Sequence, residues 1–176
     1  MKSNIALIGF MGTGKSAVGM ALAKKLKKDF IELDRLIEQQ VGKNITEIFR
    51  KDGEIYFRAM EIEATKEVAG RKNVVIACGG GIVLNQINVE RLREEAVIVL
   101  LSATPEAILK RASAEPGKRP LLQSITKPSQ VRTMLDQRRP FYERAADIRI
   151  DTTDLTVAQV VDKITGALAE KNKEEE

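Results

Sequence analysis

The chain has 176 residues, a net charge of +4 and a pI near 9.2, which suits one domain over residues 1–176 and is too short for a motor or a multidomain machine. Aromatic residues make up 4% and tryptophan is absent, so the core must rest on Ile, Leu, Val and Ala. Histidine is missing altogether, which removes every mechanism needing an imidazole base and every zinc site with a histidine ligand.

In chain order, the apolar run Asn4–Ile8 predicts a first strand, followed by Gly9-Phe10-Met11-Gly12-Thr13-Gly14-Lys15-Ser16 and a helix over about 15–28. A short strand near Phe30 to Leu33 leads into helices near 34–41, 46–51 and 54–70. A strand Val74–Cys78 runs into Gly79-Gly80-Gly81, then come a helix near 88–95 and a strand Val97–Leu101. Thr104-Pro105-Glu106 opens a helix over 105–113, with a capping hydroxyl, a proline in the first turn and an acid near the dipole. The segment 114–124 mixes breakers with Lys118 and Arg119. It is followed by a helix over 129–144, a strand Ile148–Asp151, a helix over 156–170 and a charged tail from Glu170 to Glu176 expected to fray. Strands alternating with helices predict an α/β domain with a parallel sheet, its strands covered on both faces.

The basic balance is explained by Lys24, Lys25, Lys27 and Lys28 on a solvated face of the first helix, opposite Val18, Ala21 and Leu22. No aromatic-rich sheet motif or zinc spacing supports a nucleic-acid partner. No run is long enough to span a bilayer and the N-terminus has no secretory pattern, so a cytoplasmic, membrane-free protein is expected, acting as a monomer. The single cysteine, Cys78, cannot form an internal disulfide and reads as a small buried hydrophobe.

Gly9 to Ser16 fits G-x-x-x-x-G-K-[ST] in full, between a strand and a helix. Its glycines let backbone N–H groups of Gly12, Thr13, Gly14 and the helix start, through Ala17, turn around a phosphate at the positive end of the dipole. Lys15 reaches the β- and γ-phosphates and Ser16 ligates Mg²⁺. The guanine-reading N-K-x-D and the D-x-x-G switch of GTPases are absent. Scattered arginines and carboxylates suit a small anionic acceptor, and a soluble small-molecule kinase is the natural reading.

The set Gly9 to Ser16, Asp34, Phe57-Arg58 with Glu61, Gly79-Gly80-Gly81, Lys118-Arg119-Pro120-Leu121-Leu122 and Arg138-Arg139-Pro140-Phe141-Tyr142 resembles the shikimate kinase family. The match runs from Ile5 to about Leu168, in the family's order. The resemblance implies a three-layer P-loop, nucleoside-monophosphate-kinase-like fold, with a five-stranded parallel sheet ordered 2-3-1-4-5, flanking helices and a mobile lid over about 112–124. It also implies ATP-dependent phosphorylation of the 3-hydroxyl of shikimate, a step of chorismate and aromatic amino-acid biosynthesis.

The roles follow residue by residue. In an acceptor region spanning about 32–62, Asp34 contacts the acceptor hydroxyls, as an orienting group or as the base for the hydroxyl proton. Arg58 binds the shikimate carboxylate, Glu61 holds Arg58, and Arg138 supplies a second cationic arm. Gly79, Gly80 and Gly81 bring backbone N–H groups to the acceptor, Arg119 reaches the transferring phosphate from the lid, and Arg111 stacks on adenine. Two positions depart from the family pattern. Glu32 stands where aspartate is usual, with a role in holding a Mg²⁺-bound water, and Val157 stands where a proline faces the adenine. Two alternatives stay open on sequence alone: another kinase of this fold, for gluconate or a nucleotide, and a catalytically weak ATP-binding sensor.

Overall fold

The computed structural model of the chain describes residues 2–114 and 125–174. Strands β1 (Asn4–Ile8), β2 (Asp29–Glu32), β3 (Val74–Ala77), β4 (Ala96–Ser102) and β5 (Ile148–Asp151) form one parallel sheet in the order β2-β3-β1-β4-β5. This is the order the resemblance implies. β1 is central, with Leu7 opposite Ala77 on one side and Val99 on the other. Every residue of β1 and β3 is buried, which is why both read as unbroken apolar runs.

The helices are α1 (Lys15–Leu26), α2 (Leu33–Val41), α3 (Ile45–Lys51), α4 (Gly53–Ala69), α5 (Gln86–Glu95), α6 (Pro105–Ala114), α7 (Pro128–Ala145) and α8 (Val157–Glu174), with a 3-10 turn at Ile82–Leu84. Successive strand residues point to opposite faces. Ile5 and Leu7 therefore join Val18 and Leu22 of α1 and Val160 and Ile164 of α8 in one core. Ala6 and Ile8 face the other core, built with Leu33, Ile37, Ile48, Phe57, Ile108 and Val131 from the remaining helices.

Several boundaries differ from the sequence reading. α1 stops at Leu26 because Lys27 takes a left-handed φ of 53° and turns its N–H back to the carbonyls of Ala23 and Lys24. Lys28 therefore leaves the helix, and its ammonium donates to the Ser3 carbonyl and the Asn73 side chain. Leu33, expected to end the second strand, opens α2 and is fully buried. α5 begins two residues early because the Asn85 side chain accepts from the Ile87 N–H. The helix expected to fray from Glu170 runs on to Glu174, with Lys171 and Lys173 in its last turn where cations complement the dipole. The start of α6 is as expected, with the Thr104 hydroxyl accepting from the Ala107 N–H and Glu106 in the first turn.

The carboxyl ends of β1, β2 and β3 put the 9–14 loop, the start of α2 and the 78–81 segment side by side, where ligands of parallel α/β sheets collect. Of the expected lid over about 112–124, residues 112–114 form the end of α6, and the rest, Arg119 included, lies outside the described residues. Among the described residues no helix is long and apolar enough to cross a membrane.

Candidate active site

The loop after β1 is shaped by what it must avoid. Gly9 has φ of 146°, and a β-carbon there would lie 2.2 Å from the Leu101 carbonyl oxygen, so only glycine fits. The buried Thr13 hydroxyl donates to the Phe10 carbonyl at 2.8 Å and fixes the turn. Lys15 lies across the loop, its Nζ 2.7 Å from the Gly9 carbonyl oxygen and 3.0 Å from that of Phe10. α1 opens from Gly14 with no side-chain cap and no acid in its first turn. The first-turn N–H groups, those of Ser16 and Ala17 among them, have no intrahelical acceptor. Gly12, Thr13, Gly14 and this helix end thus form an anion cradle.

The Ser16 hydroxyl donates to a Glu32 carboxylate oxygen, and Arg35 Nε stands 2.9 Å from the other one. A hydroxyl and a carboxylate meeting beside the cradle are hard oxygen donors of the kind Mg²⁺ takes. Among the described residues no cluster of three or more Asp, Glu, Cys or His groups could hold a metal by itself. Arg111 ties this loop to the end of β5, donating to the Gly12 carbonyl at 3.1 Å, the Thr152 hydroxyl at 3.0 Å, the Thr152 carbonyl at 2.7 Å and the Thr153 carbonyl at 3.4 Å. Those bonds lie in the guanidinium plane, at right angles to the faces on which a base stacks. Val157 opens α8 nearby and is 39% exposed.

The acceptor residues named from the sequence converge on the glycines after β3. A β-carbon at Gly79 would sit 2.8 Å from Asp34 Oδ1 and 3.3 Å from Glu61 Oε2, and one at Gly81 would sit 2.6 Å from both Arg58 Nη atoms. One at Gly80 would lie 3.6 Å from Arg138 Nη1 and 3.7 Å from the Met11 nitrogen. Side chains from α2, α4 and α7 therefore close on one loop next to the phosphate cradle. Arg58 Nη1 stands 3.0 Å from Glu61 Oε1, with the arginine 25% exposed and the glutamate 1%. Burial pushes the Glu61 carboxyl above the ordinary carboxylate value, with Arg58 opposing. Burial likewise raises Asp34, with Lys15 opposing and Glu32 adding to the rise. Asp34 Oδ1 and Glu61 Oε2 are both buried without a hydrogen-bond partner. Native structures seldom leave buried acceptors so, and a ligand bearing hydroxyl donors would satisfy them.

Three contributors were not foreseen. Phe10 places its ring under Arg138, whose guanidinium carbon is 5.6 Å from the ring centroid. Thr152 anchors Arg111, and its hydroxyl also donates to the Ser102 carbonyl. The Tyr142 hydroxyl donates to the Gly80 carbonyl. The four-residue spacing from Arg138 puts Tyr142 on the same helix face as that arginine, the one sequence signal that placed it near the site. Cys78 is buried as expected, and burial pushes its thiol far up.

An anion cradle at the end of the central strand, flanked by a pocket with two arginines and two buried carboxylates, defines a P-loop phosphotransferase acting on a small anionic alcohol. A family model described as shikimate kinase matches residues 11–169. The shikimate kinase of Caldanaerobacter subterraneus subsp. tengcongensis is 45% identical over 164 residues, covering 93% of this chain and 95% of that protein. The structure of shikimate kinase from Acinetobacter baumannii in complex with shikimate superposes with a TM-score of 0.90 at 34% identity, covering 97% of this chain and 95% of that one. A gluconokinase from Sinorhizobium meliloti, at 19% identity and a TM-score of 0.61, shares the fold alone. The chain belongs to the shikimate kinase family.

Proposed function

We propose that the protein transfers the γ-phosphoryl group of ATP to the 3-hydroxyl of shikimate, giving shikimate 3-phosphate and ADP, a step toward chorismate and the aromatic amino acids. The observation that carries this is the convergence of Arg58, Arg138, Asp34 Oδ1 and Glu61 Oε2 on Gly79–Gly81, beside the phosphate loop. Two planar guanidinium groups suit a carboxylate, and two unpartnered carboxylate oxygens suit ring hydroxyls.

Phosphoryl transfer is largely positioning and charge stabilisation. The cradle of Gly12 to Ala17 holds the phosphates, and Lys15 exchanges its contacts with the loop carbonyls for the transferring group. Asp34 fixes the attacking hydroxyl and accepts its proton, and Arg58, steadied by Glu61, holds the carboxylate together with Arg138. Ser16, with Glu32 through a water, would hold Mg²⁺, which would supply charge neutralisation on the phosphate oxygens. Arg111 faces the adenine, and Arg119 completes the charge at the phosphoryl group from the lid. We place the enzyme in the cytoplasm, as one domain working as a monomer. A coupled assay with ATP, Mg²⁺ and a panel of shikimate, gluconate and nucleoside monophosphates tests the reading. Turnover confined to shikimate is expected, and turnover of another acceptor in its place would overturn it.

A further inference from the structure

Tyr142 is 4% exposed, and its ring belongs to the same core as Val131 and Ala145. Phenylalanine would fill that space equally well, so the hydroxyl needs its own explanation. It donates to the carbonyl of Gly80, the same glycine beside which Arg138 Nη1 stands, 3.6 Å from where a β-carbon would be. Burial raises the phenol above its ordinary value, so it stays protonated and remains a donor at neutral pH.

The local sequence shows why such a tie is needed. Arg138 and Tyr142 stand one turn apart on one face of α7. Pro140 lies between them inside the helix, where it offers no N–H to the carbonyl four residues back and its ring crowds that carbonyl. The helix is thus weakened where a long, flexible arginine has to be aimed. Phe10 supports one face of the guanidinium, and a ring face restrains its distance but not its rotation. The Tyr142 hydroxyl fixes the middle glycine of the loop, the backbone beside which Arg138 Nη1 stands.

We propose that Tyr142 is a positioning residue for shikimate phosphorylation: its hydroxyl pins the Gly80 backbone against which the Arg138 guanidinium rests, and so sets the arm that receives the acceptor's carboxylate. The inference rests on the assignment of Arg138 to the acceptor site. Its action is on the acceptor, through Arg138, and not on the nucleotide.

The test is a double-mutant cycle of Tyr142→Phe and Arg138→Ala, with KM for shikimate, KM for ATP and the thermal midpoint measured for each variant. Tyr142→Phe is expected to raise the shikimate KM by roughly fivefold, the effect of one lost neutral hydrogen bond. The KM for ATP should stay within about twofold, since a general structural loss would move both. In the Arg138→Ala background the same change should add nothing. An unchanged shikimate KM in Tyr142→Phe, or an additive effect in the double variant, overturns the tether while leaving the acceptor site intact. A normal shikimate KM in Arg138→Ala would overturn the acceptor assignment itself. A measurement on the unaltered enzyme covers the case of a poorly folded variant. Arginine side-chain NMR should show a rotationally restrained Arg138 guanidinium without ligand, and a freely rotating one would overturn the proposal.

Discussion

Arg58 and Glu61 form a pair whose partners sit in different media, one at a pocket mouth and one in the core. An exposed pair at this helical spacing contributes well under about 1 kcal/mol, so the burial of Glu61 is better explained by what Arg58 must be held for. Arg58→Ala should raise the shikimate KM by at least about tenfold, in keeping with roughly 1.5–3 kcal/mol for a charge-assisted contact, and leave the KM for ATP nearly unchanged. Steady-state kinetics with each substrate varied checks both. With Asp34 in its proposed role at the hydroxyl, its raised proton affinity gives a sign to the pH profile. As a base it would act through its deprotonated carboxylate, so kcat/KM for shikimate should fall as pH drops through a value above that of an ordinary aspartate. Asp34→Asn should keep ATP affinity, lose turnover and lose that acid limb. Near-normal turnover in Asp34→Asn would show that orientation alone suffices.

At the scale of elements, the glycines at the two strand ends serve different ends. The left-handed Gly9 meets a backbone oxygen of β4, whereas Gly81 meets the far end of a flexible arginine. Gly9→Ala should therefore weaken the fold itself by at least about 1–3 kcal/mol, the usual cost of a strained backbone position, measured by urea unfolding. Gly81→Ala should fold normally and displace Arg58, raising the Kd for shikimate in calorimetry by at least about tenfold while ADP binding holds. The phosphate loop was legible in the sequence because its eight residues are contiguous and their spacing is the mechanism. The acceptor site was not legible from spacing, since Asp34, Arg58, Gly79 and Arg138 meet only after the crossovers of the sheet. The family pattern supplied those positions. Tyr142 escaped because its partner is a backbone carbonyl, which every residue has and no sequence singles out, and Thr152 because it meets Arg111 only across the fold. The end of α1 escaped for a related reason: Lys27 takes a conformation for which glycine is the usual signal.

For the molecule as a whole, the two raised carboxyls couple function to stability. A carboxyl whose proton affinity rises on folding keeps its proton in the native state over a range where the unfolded chain has released it. Its stabilising contribution is full below the unfolded value, near about pH 4, and is lost as pH rises through the raised native value. Asp34 and Glu61 both act in this direction. Glu61→Gln, with no charge to bury, should melt above the parent at pH 8 without shikimate, with the difference shrinking toward pH 4, while its shikimate KM rises. Thermal melts across that range check it, and this is the trade between stability and activity that binding sites commonly carry. Cys78 offers a way to watch the same region without altering the chain. It is the single thiol of the sequence, sealed at the foot of the glycine loop. A thiol reagent can reach it only when that floor opens, so each alkylation event is a clock tick of one local breathing motion. Labelling followed by mass spectrometry should slow when shikimate is bound and respond less to ADP alone, turning an inert core side chain into a built-in stopwatch for the acceptor pocket.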